Sequence, residues 1–457
     1  MKILIALISA IIYVSYLFFN INYLNINILS LSWQLLVLYV FFSVLFLYKY
    51  RSGSIFCPEL FFFIIFFFET FTYAPILYNQ ETELFAINVL RPNINDVSVM
   101  KGQCITILSF LFYILGASII SNKTNLKSYK IDKVANYNII HYKIPIHLLT
   151  TMLIILSMAL GGYKLIDKYT DSSIGLTDAG SMFPFIVIFI VISTIVELLS
   201  ISKRGVVSFS DFLKKISKLY CINIVFLSVF FLLSGARSFI FPLLLPLLFL
   251  YDRFIIKVKK RYIIFLVLVS FILMTAIKET RTETDDSTKI SINLVSISQD
   301  FISGNIGLFY LVEYADINGD QGGQNAILQM VSFIPFAQSF FVNVLGVTST
   351  SSSSDLYTNY ANINSGQGTH VIGDLYYTFG WFGAVFCMFI LGLFTSLFYK
   401  KVNNRYPQIW ILTVYLLLLG NSIVFSRVEF FYLVRNIGFS LIILWGLKLI
   451  FPVKKHL

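Results

Sequence analysis

Charged residues are scarce in this sequence of 457 residues: only 12% are Asp, Glu, Lys or Arg, whereas 57% are hydrophobic. Soluble domains carry roughly a quarter charged residues and somewhat under half apolar ones. The mean hydropathy of +0.81 points the same way. The deficit of charge excludes a soluble enzyme, a nucleic-acid-binding protein and a disordered chain. The composition is that of a membrane protein with many spans.

The four cysteines, Cys57, Cys104, Cys221 and Cys387, form no CxxC pair and lie far apart in the sequence. Disulfide frameworks and zinc sites need cysteines at characteristic spacings. The apolar runs place Cys57 and Cys221 at one membrane face, Cys104 at the other and Cys387 in mid-span. The sequence therefore predicts neither a structural disulfide nor a zinc site.

Long apolar runs are abundant. Crossing a hydrocarbon core of about 30 Å takes about 20 predominantly apolar residues in a helix. Runs that meet this length, or nearly so, lie near residues 3–19, 29–48, 58–78, 103–121, 144–162, 182–200, 219–235, 238–251, 262–277, 379–398, 408–424 and 436–451. The sequence therefore predicts an all-α polytopic membrane protein with about twelve transmembrane helices.

The distribution of Lys and Arg predicts how these helices are oriented. Cytoplasmic loops of membrane proteins carry an excess of basic residues. With both termini in the cytoplasm, most of the 34 basic residues fall on the inner side, in clusters within residues 123–143, 203–218, 253–261 and 400–405. This bias accounts for the net charge of +11, so no nucleic-acid partner is predicted.

One connection, residues 278–378, is far longer than the others and is external in this topology. It begins with the polar sequence KETRTETDDSTK and later carries a stretch rich in Ser, Asn and Gly. Between them, the apolar residues 326–345 are interrupted by Pro335 and polar residues, which favours an interfacial helix over a further span. Loops of this length usually carry function. The chain thus divides into transmembrane helices 1–9 (residues 1–277), a large periplasmic loop with interfacial helices (278–378) and transmembrane helices 10–12 (379–457).

Four arginines lie at the outer ends of predicted helices: Arg237, Arg281, Arg427 and Arg435. Arg237 follows the Ser-Gly-Ala turn of a hairpin, where its apolar flanks favour a protein cavity over the lipid. Guanidinium groups keep their charge and bind phosphates through two parallel hydrogen bonds. As a set, these arginines indicate a pyrophosphate pocket at the external membrane surface, whereas anchoring to lipid headgroups is the alternative for each one alone.

His370 is the external histidine of the predicted topology, and a neutral imidazole there could take a proton from a sugar hydroxyl. A structural hydrogen bond is the alternative role for a loop histidine. Asp374 and Glu429 are competing candidates for the base.

Glu69 lies within the third predicted span. We interpret it as a packing residue, with a proton relay in a transporter as the alternative.

Three local patterns follow one another in the C-terminal half of the chain. They are SGARS (234–238) at an external hairpin, a long external loop entered at Arg281, and IGDLYYTFGWFG (372–383) followed by FSR (425–427). In these patterns residues 219–440 resemble the Wzy-type O-antigen or polysaccharide repeat-unit polymerases. The spans before them are similar to that family only in hydropathy.

The resemblance implies a GT-C-like helical glycosyltransferase of the bacterial inner membrane. Its donor is the growing glycan on undecaprenyl pyrophosphate, which is transferred to a new lipid-linked repeat unit at the periplasmic face. By this resemblance Arg237 and Arg281 bind the pyrophosphate, Arg427 assists and His370 is the catalytic base. The sequence GTHVIGD, however, lacks the fuller histidine pattern of related ligases.

The same resemblance implies no cofactor and no catalytic metal ion. External arginines supply fixed positive charge where the leaving pyrophosphate develops negative charge. The sequence also has no DxD-like carboxylate pair in an external setting that suits a metal. A chain-length regulator protein is the implied protein partner.

Two other functions remain open at the level of the sequence. A flippase or other transporter of lipid-linked oligosaccharide is also often twelve-spanning, and Glu69 is its best support, but it has no need for a long external loop. An O-antigen ligase shares the donor chemistry and differs from a polymerase in the acceptor. The sequence does not identify the acceptor.

Overall fold

The computed structural model describes residues 2–51, 55–71, 94–121, 142–162, 182–206, 208–234, 239–259, 261, 294–331, 352–360, 369–403 and 407–450. Within these ranges every regular element is a helix. This confirms the all-α class for the described part of the chain.

The helix bounds are α1 (Lys2–Asn20), α2 (Ile28–Tyr50), α3 (Pro58–Phe71), α4 (Asp96–Ile120), α5 (Lys143–Ala159), α6 (Phe183–Lys203), α7 (Phe209–Lys215), α8 (Lys218–Leu233), α9 (Ile240–Phe254), α10 (Leu294–Asn318), α11 (Gln324–Val331), α12 (Ser353–Tyr360), α13 (Val371–Val402), α14 (Ile409–Asn421), a 3₁₀ helix (Phe425–Arg427) and α15 (Phe430–Ile450).

Six of these helices, α1, α2, α4, α6, α13 and α15, are long and apolar enough to cross a membrane. Helices α7 and α8, which meet at an angle of 102°, make a seventh candidate if they are counted as one span. The shorter apolar helices α5 and α14 also occupy predicted spans. The predicted span at 262–277 lies outside the described residues. The described part of the chain is therefore all-helical, and the chain is a multi-pass membrane protein.

The helices form two compact units, which we describe separately. Unit 1 comprises residues 1–125, 293–403 and 422–435, and its most extensive helix contact joins α4 to α13. A Cβ atom added at Gly116 would overlap the backbone of Phe389, and one added at Gly392 would overlap the backbone of Tyr113. Glycine on both sides thus allows the two backbones to touch, as is common between helices in membranes.

Helix α13 is broken near its N-terminal end at Gly380, whose φ of 70° and ψ of −170° lie in a region that favours glycine. The turn after α10 pairs with the backbone just before this break. Gln321 N donates to Tyr377 O at 3.0 Å, and Gly323 N donates to Thr378 O at 2.9 Å. The first residues of α13 therefore form a short, separately held helical segment.

Helix α10 lies within the segment that the sequence presents as a long external loop. Its residues Ile306, Leu308, Phe309, Leu311 and Val312 are buried, and the helix packs against α3, α4 and α13. Helix α10 was not predicted from the sequence, because polar residues interrupt its apolar pattern. Of the interfacial helix expected at 326–345, α11 covers the beginning, and residues 332–345 lie outside the described residues.

Unit 2 comprises residues 126–292, 404–421 and 436–457. At the predicted cytoplasmic ends of its helices, the buried carboxylate of Glu197 accepts hydrogen bonds from Lys143 Nζ at 2.9 Å and from the Ser217 backbone N–H at 2.8 Å. His147 Nε2 lies 2.8 Å from the same carboxylate. This network ties together the inner ends of α5, α6 and α8.

Candidate functional site

Segments from distant parts of the sequence converge at the predicted external side of unit 1. The Thr369 backbone N–H donates to the Arg427 carbonyl oxygen at 3.3 Å, which joins the start of α13 to the 3₁₀ helix. The 3₁₀ helix also contacts α3. We call Glu69, His370, Asp374, Arg427 and Glu429 the outer cluster. It brings together four of the site residues predicted from the sequence, together with Glu69.

His370 caps the N-terminus of α13. Its Nδ1 accepts a hydrogen bond from the Ile372 backbone N–H at 3.2 Å, which satisfies one of the free amide groups at the helix start. A neutral imidazole carries one proton, so this contact assigns the proton to Nε2. Nε2 is buried and has no hydrogen-bond partner within the described ranges. Burial also lowers the pKa of His370 to about 3, so the ring is neutral and offers an Nε2–H donor.

Asp374 lies one turn further along α13, and both of its carboxylate oxygens accept hydrogen bonds. Ser353 Oγ donates to Oδ1 at 2.7 Å, and the Phe430 backbone N–H donates to Oδ2 at 2.9 Å. Phe430 is the first residue of α15, so the negative charge of Asp374 faces the positive end of that helix dipole. The side chain is buried. This arrangement gives Asp374 a structural role, in which it fixes the start of α15 to α13.

Glu429 immediately precedes α15. One of its carboxylate oxygens, Oε1, is buried without a hydrogen-bond partner in the described part of the chain. Burial raises the pKa of Glu429 to about 7, and the negative charge of Asp374 acts in the same direction. A carboxylate with this pKa changes its protonation state near neutral pH, as a general base requires.

Arg427 and Glu69 form an ion pair between the 3₁₀ helix and α3. Arg427 Nε lies 3.2 Å from Glu69 Oε1. The Glu69 side chain is fully buried, whereas 35% of the Arg427 side chain is exposed. The pair therefore places a guanidinium group at the surface and anchors it to a carboxylate beneath. The sequence predicted that Glu69 lies within a membrane span, but it gave no indication that Arg427 is its partner.

Helix α10 supplies a part of the site that the sequence did not predict. A Cβ atom added at Gly304 would overlap Glu69 Oε2. Asn305 Nδ2 donates to the Phe68 carbonyl oxygen at 3.4 Å, beside Glu69. The glycine thus lets α10 pass directly against the carboxylate. The sequence held no signal for this contact because residues 294–318 were not predicted to be helical.

The remaining predicted arginines are less closely defined. Arg435 belongs to unit 1, and its guanidinium carbon lies 5.3 Å from the centroid of the Tyr432 ring. Its positive charge lowers the pKa of Glu429, against the larger effect of burial. Arg237 and Arg281 lie outside the described residues, so their roles stay predictions.

Among the described residues, no group of three or more His, Cys, Asp or Glu side chains is arranged to hold a metal ion.

Comparisons with known proteins give one finding. No curated protein and no solved structure matches this chain significantly. A family model described as O-antigen polysaccharide polymerase Wzy matches residues 2–455, nearly the whole chain. The match includes the N-terminal spans and selects the polymerase among the three functions that the sequence left open. The chain therefore belongs to the O-antigen polysaccharide polymerase Wzy family.

Proposed function

We propose that this polymerase joins O-antigen repeat units at the outer cluster by a metal-independent glycosyl transfer within a GT-C-like fold. The observation that carries the proposal is the Arg427–Glu69 ion pair, which holds a partly exposed guanidinium group on the 3₁₀ helix. The backbone of this 3₁₀ helix is hydrogen-bonded to Thr369, the residue before His370, and Glu429 follows Arg427 by two residues. The substrate is lipid-linked oligosaccharide, with the growing glycan on undecaprenyl pyrophosphate as the donor. A chain-length regulator protein is the proposed partner.

The proposed reaction forms one bond and breaks one. A hydroxyl oxygen of the incoming lipid-linked repeat unit attacks the anomeric carbon of the donor, and the bond from that carbon to the pyrophosphate oxygen breaks. Undecaprenyl pyrophosphate leaves with the electron pair, and the hydroxyl proton passes to the base. Arg427 stabilises the negative charge that develops on the leaving group. Arg237, Arg281 and Arg435 are the proposed additional ligands of the pyrophosphate.

The base that the site favours is Glu429 rather than His370. The lone pair of His370 Nδ1 is engaged by the Ile372 N–H, and Nε2 already carries a proton, so the ring can accept another only if the helix cap is broken. Asp374 is occupied by two hydrogen bonds. Glu429, with its pKa raised to about 7 by burial, has no such constraint at Oε1. We assign His370 the role of a neutral hydrogen-bond donor to a substrate oxygen.

Polymerisation in isolated membranes tests this proposal. Membranes of cells that lack the polymerase hold the lipid-linked repeat unit that it consumes, so wild-type protein added to them should lengthen the glycan. EDTA should leave the initial rate unchanged, because arginines supply the positive charge at the leaving group. Heat-inactivated protein is the control. Activity that EDTA removes and Mg²⁺ or Mn²⁺ restores would contradict the metal-independent mechanism.

The outer cluster can serve this reaction only if it faces the periplasm. We propose a bacterial inner-membrane protein with about twelve spans and both termini in the cytoplasm, as the distribution of basic residues predicts. Reporter fusions at residues 210 and 257 should therefore give cytoplasmic signals, and fusions at 90 and 320 periplasmic ones. A cytoplasmic signal at 320 would place α10 and the outer cluster on the wrong side of the membrane and contradict the proposal.

A further inference from the structure

We propose that Glu69 is a positioning residue that fixes the guanidinium group of Arg427 for the leaving pyrophosphate. The inference rests on the proposed function of Arg427. It assigns a role in the reaction to α3, a helix of the N-terminal part of the chain, where the sequence showed no motif.

The side chains of the two partners differ sharply in how much of their surface is exposed. Glu69 is fully buried, whereas 35% of the Arg427 side chain is exposed. A buried carboxylate is costly unless it is paired, so Glu69 holds Arg427 in one place. The contact is made to Nε at 3.2 Å. Because Nε lies in the guanidinium plane, an ion pair at that atom restrains the position of the whole group.

Helix α10 restricts Glu69 in turn. The Cα of Gly304 lies so close to Glu69 Oε2 that a Cβ atom would overlap it, and Asn305 ties α10 to α3 through the Phe68 carbonyl oxygen. The carboxylate is therefore confined between two helices. Functional groups whose supporting side chains are themselves locked by packing hold a productive geometry better than unsupported ones.

A second ion pair on α3 provides a comparison. Glu59, near the start of the same helix, pairs with Arg51, and both side chains are almost completely buried. Arg51 also lies between Tyr399 and Phe46, with its guanidinium carbon 4.1 Å and 5.0 Å from the two ring centroids. That pair is enclosed on all sides and is available only for packing. The Glu69 pair has the same chemistry, but its arginine reaches the surface.

A double-mutant cycle tests the inference. Glu69→Gln removes the charge of the carboxylate but keeps its shape, and it should lower the rate of polymerisation by about 10²-fold, the cost typical of a misplaced catalytic group. Arg427→Gln alone should lower the rate by more than Glu69→Gln alone does. If Glu69 acts through Arg427, adding Glu69→Gln to Arg427→Gln should cost no further activity, because the group that it positions is gone.

Two further variants keep the test decisive if Glu69→Gln accumulates poorly. Gly304→Ala retains both charges and should lower the rate in the wild-type chain but not in Arg427→Gln, since it displaces the carboxylate. Glu59→Gln is the matched control. It should change the rate of polymerisation by the same factor in the wild-type chain and in Arg427→Gln. Rates are measured in membranes that hold the lipid-linked repeat unit and are normalised to the amount of folded protein.

The outcomes separate the two proposals. If the losses from Glu69→Gln and Arg427→Gln multiply, Glu69 has a general structural role and the inference is wrong. If Arg427→Gln itself polymerises at the wild-type rate, the proposed function of Arg427 is wrong. The inference is supported if Glu69→Gln costs no further activity in Arg427→Gln, while Glu59→Gln lowers the rate by the same factor with and without Arg427→Gln.

Discussion

Arg427→Ala should abolish long O-antigen chains while the protein still inserts into the membrane and accumulates. Charge on the leaving pyrophosphate grows as the bond from sugar to oxygen breaks, so the contact with Arg427 should strengthen in the transition state. Loss of a comparable electrostatic donor lowers the rate by about 10²–10³-fold. Arg427→Lys should rescue poorly, because an ammonium group keeps the charge but lacks the planar fork and the Nε contact with Glu69.

The measurement is the length distribution of the surface glycan on a gel, in cells whose own polymerase gene is deleted. Cells with either variant should still attach a single repeat unit, since flipping and ligation belong to other proteins. Arg204, an exposed arginine at the end of α6, provides the control, and Arg204→Ala should give the normal ladder. A normal ladder in Arg427→Ala cells at normal expression would show that this arginine is no more than a membrane anchor. By the family resemblance, Arg237→Ala is expected to have the same effect.

Glu429→Gln should lower turnover by about 10²–10⁴-fold, the range for loss of a general base, and should change the dependence of the rate on pH. The base must be deprotonated to accept the proton of the acceptor hydroxyl. Because burial raises the pKa of Glu429 to about 7, the wild-type rate should rise with pH up to about that value and then level off. Glu429→Gln should remove this rise, since an amide does not titrate.

His370 variants distinguish the two candidate bases in the same assay. His370→Asn keeps a side-chain acceptor for the Ile372 N–H and so preserves the helix cap. It should lower the rate through loss of a hydrogen bond to substrate but leave the rise with pH intact. If His370→Asn instead removes the rise and Glu429→Gln retains it, His370 is the base, as the resemblance alone implied.

The helical class, many of the spans and several residues of the outer cluster could be predicted from the sequence because these depend on local patterns. Apolar runs indicated α1, α2 and α4, and the FSR and IGD motifs indicated Arg427 and Asp374. Helix α10 was missed because a helix packed within protein need not be continuously apolar. The partner of Glu69 was missed for a different reason, since nothing local in α3 indicates a contact with the 3₁₀ helix. The predicted roles of Arg237 and Arg281 rest on the sequence alone.

The distance in sequence between Glu69 and Arg427 has a consequence for biosynthesis. Helix α3 is synthesised long before Arg427, because most of the described helices lie between them in the sequence. The buried carboxylate of Glu69 therefore enters the membrane without Arg427 and gains this partner only once Arg427 has been synthesised. An incomplete chain has no ion pair between these residues and so lacks the proposed pyrophosphate clamp. We expect a chain that ends before Arg427 to be inactive in the proposed transfer.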